Sequence, residues 1–271
     1  MPLIAFFGSV PRALAGRWEQ GKEDYWQDGI FKQDNVDMSK YDQGIIRARV
    51  DDSWEEYPLV QLDDAFMDWN LESRLRYLQT IAEGKMPSLA GPHAAAVATY
   101  GGGRLDSHFS LNNAIKGMGF APKRERIREM IDRYKDTMDL SMPEKLEILQ
   151  ENYRRPELWD RTKQVSLELY ASPDFETHTF LNVMANPVAT IVFTDMPSYE
   201  LRAIVRIVHA QDPQPLPFEK DFLEYSNMAH AYFHGGADQR FNLLAFHIIE
   251  QFDNSPGSGR GVRVRPPLAE E

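Results

Sequence analysis

A short β-branched run between two prolines constrains this chain more than any other feature. Val188 to Thr194 reads VATIVFT, with Pro187 before it and Pro197 after it. β-Branched side chains pack well on a pleated surface and proline ends a ladder, so the run predicts a buried strand. Tyr199 to His209 then alternates, with Tyr199, Leu201, Ala203, Val205 and Ile207 against Glu200, Arg202 and Arg206. That period of two predicts a half-exposed strand, joined to the first by a tight connection at Met196-Pro197-Ser198. The final third of the chain must therefore contain a sheet.

Upstream, the periodicity changes. Phe66, Trp69, Leu75, Leu78 and Ala82 fall near one helical stripe, which Gly84 and Pro87 end. Ile127, Met130, Ile131, Tyr134 and Met138 make a second stripe, and Leu158, Thr162, Val165 and Leu169 a third, opened by Pro156. Ala94 to Ala98 reads as a helix end with Tyr100-Gly-Gly-Gly-Arg104 as its terminator; the alternative is a glycine-rich loop, ending in a cation, that approaches a phosphate closely. Residues 1–60 are irregular and aromatic-rich (Trp18, Tyr25, Trp26, Phe31, Tyr41, Trp54, Tyr57), with one strand pattern at Gly44 to Val50. The expected fold is α+β, a helical N-terminal half packed on a smaller antiparallel or mixed sheet in the C-terminal half. Its parts are a wrapping segment over 1–60, a helical region over 61–170, a sheet-bearing region with a His-rich helix over 171–254, and a flexible tail over 255–271, all in one compact domain.

Composition excludes several classes of function. No cysteine occurs in the 271 residues, which removes disulfides, thiolate zinc sites, iron–sulfur clusters and a cysteine nucleophile. The net charge of −11 repels phosphate backbones and anionic membranes, so neither nucleic acid nor a membrane is an expected partner. Basic residues from Lys123 to Lys135 alternate with acids, and Arg128–Asp132 and Glu129–Arg133 have the spacing of intrahelical pairs. No uninterrupted apolar run approaches the ~18 residues that span a bilayer, and the start has no basic leader pattern, so the expected location is cytoplasmic. There is no phosphate-binding loop of the GxxxxGK[ST] type, no HExxH and no GxSxG.

Histidines supply the first candidate site. Five of seven lie from His178 onward. Pro217 to Gly235 predicts a helix with Phe218, Phe222, Tyr225, Ala229 and Phe233 on one stripe, while Glu219, Leu223, Asn227, His230 and His234 form another. Imidazoles at i and i+4 can share one ion, which makes His230, His234 and Asn227 the candidate set for a divalent metal such as Fe or Zn. His209 and Glu250 are the candidate acid–base groups, since imidazole titrates near neutrality. Residues 241–252 fit a helix or a strand.

The stretch from Leu167 to Phe193 offers a second candidate. Through Asn182, Ala185, Asn186 and Pro187 it resembles the strand–helix–strand portion of FMN-binding split barrels of the pyridoxamine-phosphate-oxidase type. The resemblance implies FMN as cofactor, with Thr177 and Thr179 donating to its phosphate. Where that family carries basic residues, this chain reads Phe175-Glu176-Thr177-His178-Thr179. The leading expectation is a small-molecule enzyme performing oxidoreductase or metal-assisted chemistry at a His-centred site, where the helix bearing His230 and His234 meets the sheet. Two others stand beside it: an FMN-binding split-barrel flavoprotein, and a non-catalytic subunit. A homo-oligomer or a partner subunit is expected.

Overall fold

The computed structural model describes residues 25–268 apart from 87, 89, 103, 105, 214, 236–238 and 258. Trp18, Pro87, Gly236 and the chain's first and last residues lie outside the described set. A hairpin of β1 (Trp26–Gln27) and β2 (Ile30–Phe31) leads into a small antiparallel sheet of β3 (Val36–Asp37), β4 (Ile45–Val50) and β5 (Ser53–Pro58). Helix α1 (Asp64–Ala82) follows, then β6 (Ala94–Thr99), β7 (Asn112–Gly117) and β8 (Gly119–Pro122). Two helices, α2 (Ile127–Asp136) and α3 (Met142–Tyr153), precede β9 (Trp159–Ser166) and the short pair β10 (Ala171–Ser172) and β11 (Phe175–Glu176). The chain ends with α4 (His178–Ala185), β12 (Val188–Val192), β13 (Tyr199–Val208), α5 (Pro217–His234), β14 (Leu243–Asp253) and β15 (Val262–Arg265).

The proline-bounded run is β12, and it sits inside a curled eight-stranded antiparallel sheet ordered β7-β6-β12-β13-β14-β9-β8, with β15 added to β14. Strands β7 and β8 stand at opposite ends of that order, yet only Met118 separates them in the chain. The sheet therefore curls until one run of backbone supplies both its edges. Buried Arg74 of α1 pins this corner, donating to the carbonyls of Pro92 and Met118 at 2.8 Å each.

This architecture overturns the expected helical N-terminal half: the protein is dominated by its sheet, and four of the large sheet's strands lie within residues 61–170. Leu158, Thr162, Val165 and Leu169 have helical spacing, but Trp159–Ser166 is β9, paired on one side with β14 and on the other with β8. The alanines of 94–98 are the best helix formers, yet they make β6, because two neighbouring strands satisfy its backbone and small side chains fit the tight curl. A strand, not a helix, leads into Gly101 and Gly102, so they are not a helix terminator. The ambiguous segment 241–252 is mostly β14, and residues 262–265 of the expected tail pair with that strand. Stripes at 66–82, 127–138 and 217–235 do form helices, α1, α2 and α5.

Register explains the core. Val205, Phe246, Gln164 and Phe120 lie side by side across four strands, all buried on one face. One residue along, Ile204, His247 and Lys163 align on the opposite face. There Ile204 packs with Ile46 and Ala48 of the small sheet, and Lys163 lies beneath Phe222 of α5. Beyond the end of β12, the side chain of Gln33 replaces a strand: its Nε2 donates to Val205 O at 2.9 Å and its Oε1 accepts from Ile207 N at 2.8 Å.

Helix ends follow their sequences. Asp63 caps α1 by accepting from Phe66 N at 2.8 Å, and Glu144 reaches back to Ser141 N at 2.9 Å at the start of α3. The charges of α2 are spent between helices rather than within one: Arg128 pairs with Asp221 and Glu224 of α5, and Lys135 with Glu224. Among the described residues no helix is long and apolar enough to cross a membrane.

Candidate functional site

Helix α4 begins at the turn after β11, where Thr177 caps it by accepting from Phe180 N at 3.4 Å. That bond leaves the threonine hydroxyl hydrogen able to donate outward. The first amides of any helix lack internal acceptors and carry the positive end of its dipole. A cavity of about 280 Å³ opens at this point, bordered by β7, the chain following β9 and the first turn of α4. Thr177 and Thr179 both line it. Thr179 is buried, its Oγ1 accepting from Asn112 Nδ2 of β7 at 3.2 Å.

Two cations from distant parts of the sequence join them. Lys116 of β7 lines the cavity and is 5% exposed. Its Nζ donates to the backbone carbonyl of Glu168 at 2.6 Å, and no carboxylate among the described residues lies within salt-bridge reach. Burial pulls its pKa down, opposed by the more distant Glu168 charge. Arg104 reaches in from the β6–β7 connection, donating through Nη1 to Glu176 O at 3.1 Å and through Nε and Nη2 to both Asp106 oxygens. The Arg104 hydrogen bonds hold the Asp106 carboxyl below its usual range, and Asp106 also meets His178 Nε2 at 3.3 Å.

The glycines exist to bring this loop onto α4. A Cβ on Gly102 would lie 2.4 Å from the carbonyl carbon and oxygen of Leu181, and one on Gly101 2.7 Å from Asn186 Cβ. Gly101 also has φ +126°, outside the ordinary range for other residues. Buried Asn182 secures the loop from the helix side, its Nδ2 donating to Thr99 O at 3.0 Å and Ser110 O at 2.7 Å. Lys116, Arg104 and Asn112 were invisible to local reading of the α4 sequence, because they arrive by strand pairing. The Gly-Gly-Gly-Arg run was the one local signal for a close approach.

The other candidates are dispersed. His230 and His234 stack on α5 with ring centroids 4.8 Å apart, His230 half-buried and His234 exposed. Burial lowers the pKa of His230, and partial desolvation of the ring together with the His230 charge lowers that of His234. Asn227 does not face them as a ligand. Its Oδ1 accepts from Phe241 N at 2.7 Å and its Nδ2 donates to Phe241 O and Leu223 O. Among the described residues there is no group of three or more His, Asp or Glu able to hold a metal ion. His209 directly follows β13, whereas Glu250 pairs with Arg202 and Arg263 at 3.3 Å each. Because Val208 is opposite Leu243 and Arg202 opposite Glu250, the two are roughly 23 Å apart along the ladder, too far to serve one substrate atom.

No protein-family model matches this sequence, and no curated protein matches it.

Proposed function

We propose that the cavity at the start of α4 binds the phosphate end of a nucleotide-type cofactor, FMN in the first instance, and that the protein is a flavin-dependent oxidoreductase acting on a small molecule. Buried Lys116 carries this reading. A buried ammonium is normally paired, and this one faces a cavity with a backbone carbonyl as its protein partner. The other donors fit a phosphate: Arg104, the hydroxyls of Thr177 and Thr179, the Asn112 amide and the opening amides of α4. Arg104 is paired with Asp106, so Lys116 is the cation at the cavity that no carboxylate among the described residues meets at salt-bridge distance. The likeness of residues 167–193 to FMN-binding split barrels supports the same assignment.

Bound flavin would supply hydride or electron transfer. The chain's own part is to offset the phosphate charge with Lys116, to orient it on Arg104 and the hydroxyls of α4, and to offer apolar surface beyond. The cavity is small for a whole flavin nucleotide, and Ile115 and Tyr170 at its border are 68% and 49% exposed, a place for a ring system to lie. Comparing FMN with riboflavin tests the reading by flavin fluorescence. FMN should bind at least about tenfold more tightly, since a charge-assisted phosphate contact contributes more than 1.4 kcal/mol. Equal affinities, or no binding of either, would refute it.

A further inference from the structure

A second cavity, of about 650 Å³, lies between the segment from Phe31 to Ser39, the end of β13 and the start of α5, and shares no lining residue with the first. Phe31, Met38, Ile207 and Phe218 give it an apolar wall. Its arginines are committed elsewhere. Arg206 donates through Nε and Nη2 to the two oxygens of Glu219, at 2.6 and 3.3 Å, and through Nη1 to Gln33 O at 3.1 Å. Arg124 holds Asp42 at 2.8 Å and lies over the Phe218 ring. Lys32 is the remaining cation, against Asp37 and Asp212, so the described lining carries one more acid than base. An anionic ligand has no uncompensated positive field to enter.

His209 supplies the directional group. It is 9% exposed, lines the cavity, and is fixed edge-on by the Phe31 ring at 5.0 Å and the Trp26 ring at 6.0 Å. Its Nδ1 accepts from Gln211 N at 3.1 Å, which places the proton on Nε2. Burial lowers the imidazole pKa, opposed by the Asp212 charge. Nε2 has no hydrogen-bond partner among the described residues, and a neutral N–H donor selects an acceptor atom and offers nothing to an ammonium.

We propose that this cavity binds an uncharged aromatic carbonyl compound, its oxygen accepting from His209 Nε2–H and its ring lying along the apolar wall of Phe31, Met38 and Ile207. Three probes of one shape and different charge test it on the full chain: benzamide, benzoate and benzylammonium. Benzamide at millimolar concentration should bind and move the His209 Nε2 resonance in imidazole ¹⁵N spectra, with the two ions binding more weakly. His209→Phe, which keeps a ring against Phe31, should weaken benzamide about fivefold, the value of one neutral hydrogen bond. Tightest binding by either ion, an unmoved Nε2 resonance, or no binding by any probe would each overturn the proposal without recourse to the variant. Unchanged benzamide affinity in a folded His209→Phe would do so as well.

Discussion

Replacing Lys116 with Met should move two measurements in opposite directions. Without an anion, Lys116 is a buried ammonium whose charge no carboxylate offsets at close range, and its depressed pKa reflects that cost. Methionine has similar volume and no charge, so the substitution should stabilise the ligand-free protein by about 1 kcal/mol, after allowing for the lost bond to Glu168 O. For a chain of this length that is a rise in Tm of about 2 °C. With FMN present the sign should reverse. A charged donor to a phosphate contributes roughly 1.5–3 kcal/mol, so the variant should bind FMN about 10- to 150-fold more weakly. At a free concentration about 100 times the wild-type Kd, FMN stabilises the wild type by about 2.7 kcal/mol, or about 5 °C, and the variant by far less. Thermal melts with and without FMN, alongside a fluorescence titration, read both effects. A variant that melts below the wild type without ligand, yet binds FMN equally well, would refute the reasoning.

Three further outcomes follow from the interior. His247 is buried with Nδ1 unpartnered, and burial, aided by the nearby Lys163 charge, pulls its pKa down to about 3. Below pH 6.5 the unfolded chain takes up a proton that the native state refuses, so stability falls by about 2 kcal/mol between pH 6.5 and 5; urea melts of His247→Leu should lose that share of the slope. Lys163 and Asp160 form a buried pair at 2.5 Å, with the ammonium 4.4 Å from the Phe222 ring centroid and 5.0 Å from that of Tyr41. Lys163→Met should cost about 3–5 kcal/mol by stranding Asp160, and adding Asp160→Asn should recover most of it in a double-mutant cycle. Gly102→Ala drives a methyl into the Leu181 carbonyl, so a loss of about 1–3 kcal/mol is expected in urea denaturation, with weaker FMN binding as Arg104 is displaced.

What could be read in advance depended on how local the cause was. The strands at 188–192 and 199–208 and the helices of 66–82, 127–136 and 217–234 follow from side-chain period and from the caps that bound them. Strands β6 and β9 do not. Alanine at 94–98 prefers a helix, and Val165 and Leu169 keep helical spacing, so pairing across more than sixty residues overrode local preference. The α4 site divides the same way. Thr177 and Thr179 came from a linear pattern, whereas Lys116 and Arg104 reach the same cavity only because β7 and the loop before it pack beside α4. The α5 histidines show the converse: a helical stripe correctly placed His230 over His234 but could not show Asn227 tied to the backbone of Phe241.

Gln33 carries a consequence for how the molecule behaves in a crowded solution. Strand β12 is shorter than β13, so the far stretch of β13 would present bare amide and carbonyl groups, a template onto which a foreign peptide can add. One primary amide occupies that vacancy at the cost of a single residue. Its loss, as in Gln33→Ala, would leave the fold's hydrophobic interior untouched while opening a docking strip for misassembly, so self-association on storage, rather than lowered melting temperature, should be the first symptom.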